Sequence, residues 1–74
     1  MTKEQFDEGM AALEEREAVS NVYAVIGSGE DDNIIIIRGM RDLYQDCGAG
    51  IIIAQGRRAY YLPYDTIISL TGER

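Results

Sequence analysis

The sequence predicts a mainly β single domain: an N-terminal helix followed by five short, strongly bent antiparallel strands that curl into a small barrel. Three observations predict it. Apolar spacing is helical only near the start; from Val19 onward Val, Ile and Tyr dominate between Gly-rich breaks. The run Ile34 to Tyr44 would be about 36 Å long if straight, too long for so small a domain unless it bends. Lastly, 74 residues with 46% apolar and 27% charged side chains are enough for one core and no more. Chain ordering costs roughly 1.5 kcal/mol per residue, which burial in so short a chain barely offsets.

Thr2-Lys3-Glu4-Gln5 is a capping-box pattern, in which Thr2 accepts from the Gln5 amide and Gln5 reaches back. Phe6, Met10 and Leu13 then recur at i, i+4 and i+7, so the helix is expected over about 3–17. Gly9 beside this stripe costs about 1 kcal/mol relative to Ala; either it lets the helix approach a sheet closely or it is simply tolerated there. The first strand is expected over Val19–Ile26, with Gly27 to Asn33 as a loop. The second starts at Ile34 and runs to Tyr44, bending at Gly39. Asp46-Cys47-Gly48-Ala49-Gly50 is the next break, Ile51–Ala54 the third strand, Gln55-Gly56-Arg57 a tight turn and Arg58–Leu62 the fourth strand. Pro63 cannot donate to a ladder, so the fourth strand ends there or is an edge. Tyr64-Asp65-Thr66 makes a short link to a fifth strand, Ile67–Leu70, and Thr71–Arg74 reads as a polar tail.

Side chains alternate faces along a strand, so Ile34–Ile37 and Ile51–Ile53 are apolar on both faces. One face fills a core; a helix with a three-residue stripe cannot cover the other. Strands four and five carry Tyr60, Tyr61, Ile67 and Ile68 without a Lys or Glu to blunt them. Self-association through these two strands is the expectation, with those four residues as the subunit contact.

Charge is uneven. Residues 1–32 carry −7 and residues 33–74 carry +1, for a net −6. A nucleic-acid binder ordinarily shows a basic patch instead. One Cys excludes a disulfide framework, and the lack of His removes the commonest metal ligand and general base. Ser20, Ser28 and Ser69 therefore have no imidazole to activate them. Asp42, Asp46 and Asp65 are the only acids of the strand half besides Glu73 in the tail. Gly27-Ser28-Gly29 is followed by Glu30-Asp31-Asp32, which would repel a phosphate. Those acids with Asn33 lack the spacing of a calcium loop. Cys47 has no neighbour in sequence that would activate it. No enzyme, metal or cofactor is expected. No apolar run approaches the roughly 18 residues of a membrane span, and no signal pattern opens the chain, so the expected setting is the cytoplasm.

A helix, five strands, a bent second strand and a near-absent link between the last two together resemble the Sm-like family of small barrels. Gly39 stands where that family has a Gly in its bent strand, and Asp46 where it has an Asp. Three residues follow, Cys47-Gly48-Ala49, then Gly50 in place of the family's Asn, then Ile51-Ile52-Ile53. The second motif corresponds to Tyr61–Leu70. The resemblance implies that strand four of one copy pairs with strand five of the next to close a ring. It also implies RNA bound near the pore, through Asp46, Tyr64 and Asp65. Yet Cys47-Gly48-Ala49 offers no stacking ring and Pro63-Tyr64-Asp65 no positive charge. The family's RNA face is also the helix face, and a ring of acidic helices would repel phosphate. Arg57 and Arg58, with Tyr60 and Tyr61 close by, are the other candidate RNA contacts.

The expected function is a non-enzymatic, homo-oligomeric binding or scaffold ring. The alternatives are an RNA-binding ring and a small acidic inhibitor whose Glu14, Glu15 and Glu17 meet a basic surface of another protein.

Overall fold

The computed structural model describes residues 1–28, 31–39 and 44–74, and the Ser28 and Asp31 side chains are outside that description. Helix α1 spans Lys3–Glu15, and six strands follow: β1 Asn21–Ser28, β2 Asp31–Arg38, β3 Tyr44–Asp46, β4 Gly50–Gln55, β5 Arg58–Pro63 and β6 Ile67–Glu73. A 3-10 turn, Tyr64–Thr66, joins β5 to β6. The strands form two antiparallel three-stranded sheets, ordered β2-β1-β6 and β3-β4-β5.

The expected count of five strands is corrected to six. The long second strand is two strands, β2 and β3, which belong to different sheets. Gly39 follows the end of β2, and Met40–Leu43, where the rest of the bend was expected, lie outside the described residues. Among the described residues the ladders make a pair of sheets rather than one closed barrel. The loop expected from Gly27 to Asn33 is shorter, because β1 runs to Ser28 and β2 starts at Asp31, so that Ile26 pairs Asn33 and Gly27 pairs Asp32. The expected polar tail is mostly strand: Thr71, Gly72 and Glu73 pair with β1. Composition misled there, since an edge position beside β1 satisfies polar residues as readily as apolar ones.

The capping box forms as its sequence predicts. Thr2 Oγ1 accepts from the Gln5 amide at 3.1 Å, and the Thr2 amide donates to Gln5 Oε1 at 2.9 Å. The helix ends two residues early in a Schellman arrangement, in which Ala18 donates to the Leu13 carbonyl and Glu17 to that of Glu14. Glu17 holds the left-handed position there, with φ 58°. The buried face of α1, Phe6 and Met10, meets Val22, Ala24, Ile37, Ile51, Ile53 and Ile67 in one cluster. Phe6 also stands edge-on to Tyr44, with ring centroids 5.4 Å apart.

Two glycines set how closely the layers approach. A methyl group on Gly9 would lie 3.0 Å from the tip of Leu70, so the helix does sit close on β6. A methyl group on Gly72 would run into the Ala18 carbonyl oxygen, which is backbone and cannot swing aside. Gly72→Ala is therefore expected to destabilise the fold by about 1–3 kcal/mol. Gly9→Ala is expected to be near neutral, because leucine repacking is offset by about 1 kcal/mol of helix propensity. Urea denaturation separates the two. In the same assay Glu17→Gly is expected to stabilise by about 0.5–1 kcal/mol, by relieving a left-handed non-glycine residue.

Candidate functional site

The residues that sequence reasoning singled out fall into three places. The first is the corner where β5 turns into β6. Each of these strands has one partner among the described residues, β4 for β5 and β1 for β6, so each presents an outer edge. Tyr61 shares the outward face of its sheet with Ile52, its partner in register, and is 54% exposed. Tyr60 pairs with Ile53 and points to the other side, at the rim of the core. Ile67 and Ile68 separate sharply. Ile67 is 1% exposed and belongs to the core, so its side chain is taken up inside the chain. Ile68 is 55% exposed. The register shifts between Val25 and Ile26, which pair Ser69 and Ile67, leaving Ile68 as an extra residue. Such a bulge re-aims a side chain, and here it lays Ile68 over Gly27.

The second place is around Asp46 at the end of β3. Its Oδ1 accepts from the Tyr64 hydroxyl at 2.5 Å and from the Gly48 amide at 3.2 Å. Its Oδ2 accepts from Lys3 Nζ at 3.0 Å. The Tyr64 hydroxyl, Lys3 and the Gly48 amide together hold the Asp46 carboxyl down to about 2. Burial, then the Asp46 carboxylate, pushes the Tyr64 hydroxyl far up, and Asp46 raises the Lys3 ammonium. Tyr64 itself is buried, its ring tilted against Phe6 at a centroid distance of 5.1 Å. Its ring face is thus committed to the core and its hydroxyl to Asp46. Asp65, one residue on, is exposed in the 3-10 turn. The Met1 amino group donates to the Tyr64 and Ile67 carbonyls at 2.9 and 2.6 Å, so the start of the helix is tied to the same corner.

The third place is the β4–β5 hairpin tip. Gln55 pairs with Arg58 across a two-residue loop, Gly56-Arg57. Gly56 has φ 62° and Arg57 has no positive φ, the arrangement of a type II′ turn. Both Arg57 and Arg58 are exposed. They stand at the opposite end of β5 from Tyr64.

Glu30 and Asp42 lie outside the described residues, and the Asp31 side chain does also. Cys47 is exposed, with its thiol directed at the Gly50 carbonyl at 3.3 Å. No helix among the described residues is long and apolar enough to cross a membrane.

Sequence reasoning missed one feature. The outward face of the β2-β1-β6 sheet holds an apolar groove of ≈ 250 Å³ lined by Tyr23, Val25, Ile34 and Thr71. The signal was present in the two-sided apolar run Ile34–Ile37. Which side stays outside could not be told without the register.

No protein-family model, curated protein or solved structure matches this chain. The functional reading therefore rests on its own geometry.

The Asp46 cluster makes a pH prediction. An unfolded Asp binds its proton near pH 3.9, and the folded one near 2, so the unfolded chain binds more protons in between. The contribution of Asp46 to stability is present in full above about pH 4 and is lost as pH falls through about 2. Melting temperature followed over that window should fall with pH in the wild type and fall less steeply in Asp46→Asn. Equal slopes would show that the carboxylate does not carry this dependence.

Proposed function

We propose that the chain is a non-enzymatic, Sm-like small barrel whose copies join edge to edge into a homo-oligomeric ring, and that the ring serves as a binding or scaffold module. The observation that carries this is the pair of outer edges on β5 and β6, set in different sheets and linked by only three residues. The edges are unlike one another, so joining β5 of one copy to β6 of the next is a head-to-tail contact. Such contacts propagate and make a ring when the rotation closes. Exposed Tyr60, Tyr61 and Ile68 stand at those edges, and tyrosine is enriched at protein interfaces. Ile67 contributes its backbone alone. Glu73, at the far end of β6, is the one acid of that strand, and it accepts the Tyr23 hydroxyl rather than guarding the edge.

Pore-side RNA binding draws less support. Tyr64 is buried, Asp46 is bonded three ways, and Asp65 adds negative charge. Exposed Arg57 and Arg58 are the remaining phosphate contacts among the residues singled out, and they lie at a hairpin tip away from that corner.

Sedimentation at micromolar concentration tests the ring. The wild type is expected as a multiple of 8.2 kDa larger than two copies. Tyr61→Lys places a charge on the β5 edge, the device by which natural edges resist pairing, and should break that assembly down. A wild-type monomer would overturn the proposal, as would a Tyr61→Lys variant of unchanged mass.

A further inference from the structure

Among the described residues no strand belongs to both sheets, so packing and cross-links fix the angle between them. Side-chain hydrogen bonds make such cross-links at two separate points. Near the β5–β6 turn, Asp46 on β3 accepts from the Tyr64 hydroxyl at 2.5 Å, and Tyr64 is the first residue of the turn that leads into the other sheet. At the hairpin end, Gln55 Nε2 on β4 donates to the Ile36 carbonyl on β2 at 3.1 Å, directly from one sheet to the other. Asp46 lies beside Ile51 in register, four residues short of Gln55, so the two bonds are about 13 Å apart along the sheet. We infer that these bonds act as struts that hold the angle between the sheets, and through it the rotation from one copy to the next in the proposed ring.

The second half of this inference rests on the edge-to-edge joining of β5 and β6, since those edges lie in different sheets. A head-to-tail ring closes only when each contact turns by one equal share of a full circle, and the shares for six and for seven copies differ by about 9°. A small rocking of one sheet on the other is therefore enough to change the copy number. The core by itself resists rocking weakly: Val22, Ile37, Ile51 and Ile53 fill the space between the layers, and apolar contacts have no preferred direction. Hydrogen bonds do, and one to a carboxylate is among the stronger ones. A single strut would leave a pivot, and two spaced struts remove it. Lys3 brings the helix, which sits on β6 at Gly9, to the same Asp46 carboxylate.

Two measurements separate the struts from the ring. Tyr64→Phe removes the first bond and keeps the ring packed on Phe6, while Asp46 is exposed and stays solvated. Gln55→Met removes the second. Val22→Ala, which loosens the core without touching either bond, controls for lost stability. Native mass spectrometry of the full chain should give one copy number for the wild type and for Val22→Ala, and a mixture of copy numbers for each strut variant. The angle itself is read by pulsed electron paramagnetic resonance between spin labels at Ile34→Cys and Ile52→Cys, exposed positions on the two sheets, in a Cys47→Ser background with excess unlabelled chain. The distance distribution should be wider in each strut variant than in the wild type or Val22→Ala. An unchanged width in either strut variant overturns the proposal whatever the assembly does, as does equal widening in Val22→Ala. Wider distributions with a monomeric wild type overturn the edge-joining reading and leave the struts standing. Wider distributions with a single unchanged copy number overturn the link from strut to ring.

Discussion

Side-chain alternation is the constraint on which the rest of this structure depends. A strand can send only every second residue into a core, and both β2, at Ile34–Ile37, and β4, at Ile51–Ile53, carry unbroken runs of isoleucine. In β4, Ile51 and Ile53 are buried and Ile52 is left outside. In β2, Ile37 is buried while Ile34 and Ile36 face water. Among the described residues a single α-helix is available as cover, and α1 spends its apolar stripe on the core side of the β2-β1-β6 sheet. The exposed isoleucines are thus a direct consequence of the sequence pattern and the small size of the chain.

The corner between the sheets is where backbone and side-chain chemistry meet. Asp46 ends β3, Tyr64 begins the turn between β5 and β6, and Lys3 opens the helix. One carboxylate bonds to both of the others, and the Tyr64 amide also donates to the Ala49 carbonyl at 3.1 Å. Phe6 lies against Tyr64 from inside. The result is a turn held from several directions, which keeps the outer edges of β5 and β6 in a defined relation. A residue that looked like a ligand contact is thereby a structural pin. Buried tyrosine hydroxyls usually find a partner, and a carboxylate already supported by Lys3 and the Gly48 amide is a strong one.

The proposed edge contact uses surface that the fold leaves open. Edge pairing would extend ladders through backbone hydrogen bonds, with Tyr61 and Ile68 at its margin. The bulge at Ile68 turns that side chain over Gly27 and toward the outward face.

The helix, its capping box and its Phe6–Met10 stripe were legible in the sequence, because each depends on neighbours no more than four residues away. So were β4, the hairpin at Gly56 and the short link after Pro63, where glycine and proline act on the local backbone. The division of the long second strand between two sheets was not legible, since a bend shows in sequence while the partner of each half does not. The strand through Thr71–Glu73 was missed for the same reason: pairing with β1 rather than composition makes it a strand. Ile67 and Ile68 are chemically identical neighbours, and only the bulged register against β1 decides that one is buried and the other exposed. Tyr64 reads as a ligand side chain until Asp46, eighteen residues away, and Phe6, fifty-eight away, are brought against it. Local preferences determined which segments are helix and strand; long-range pairing, which no local pattern encodes, decided which face each strand shows to water.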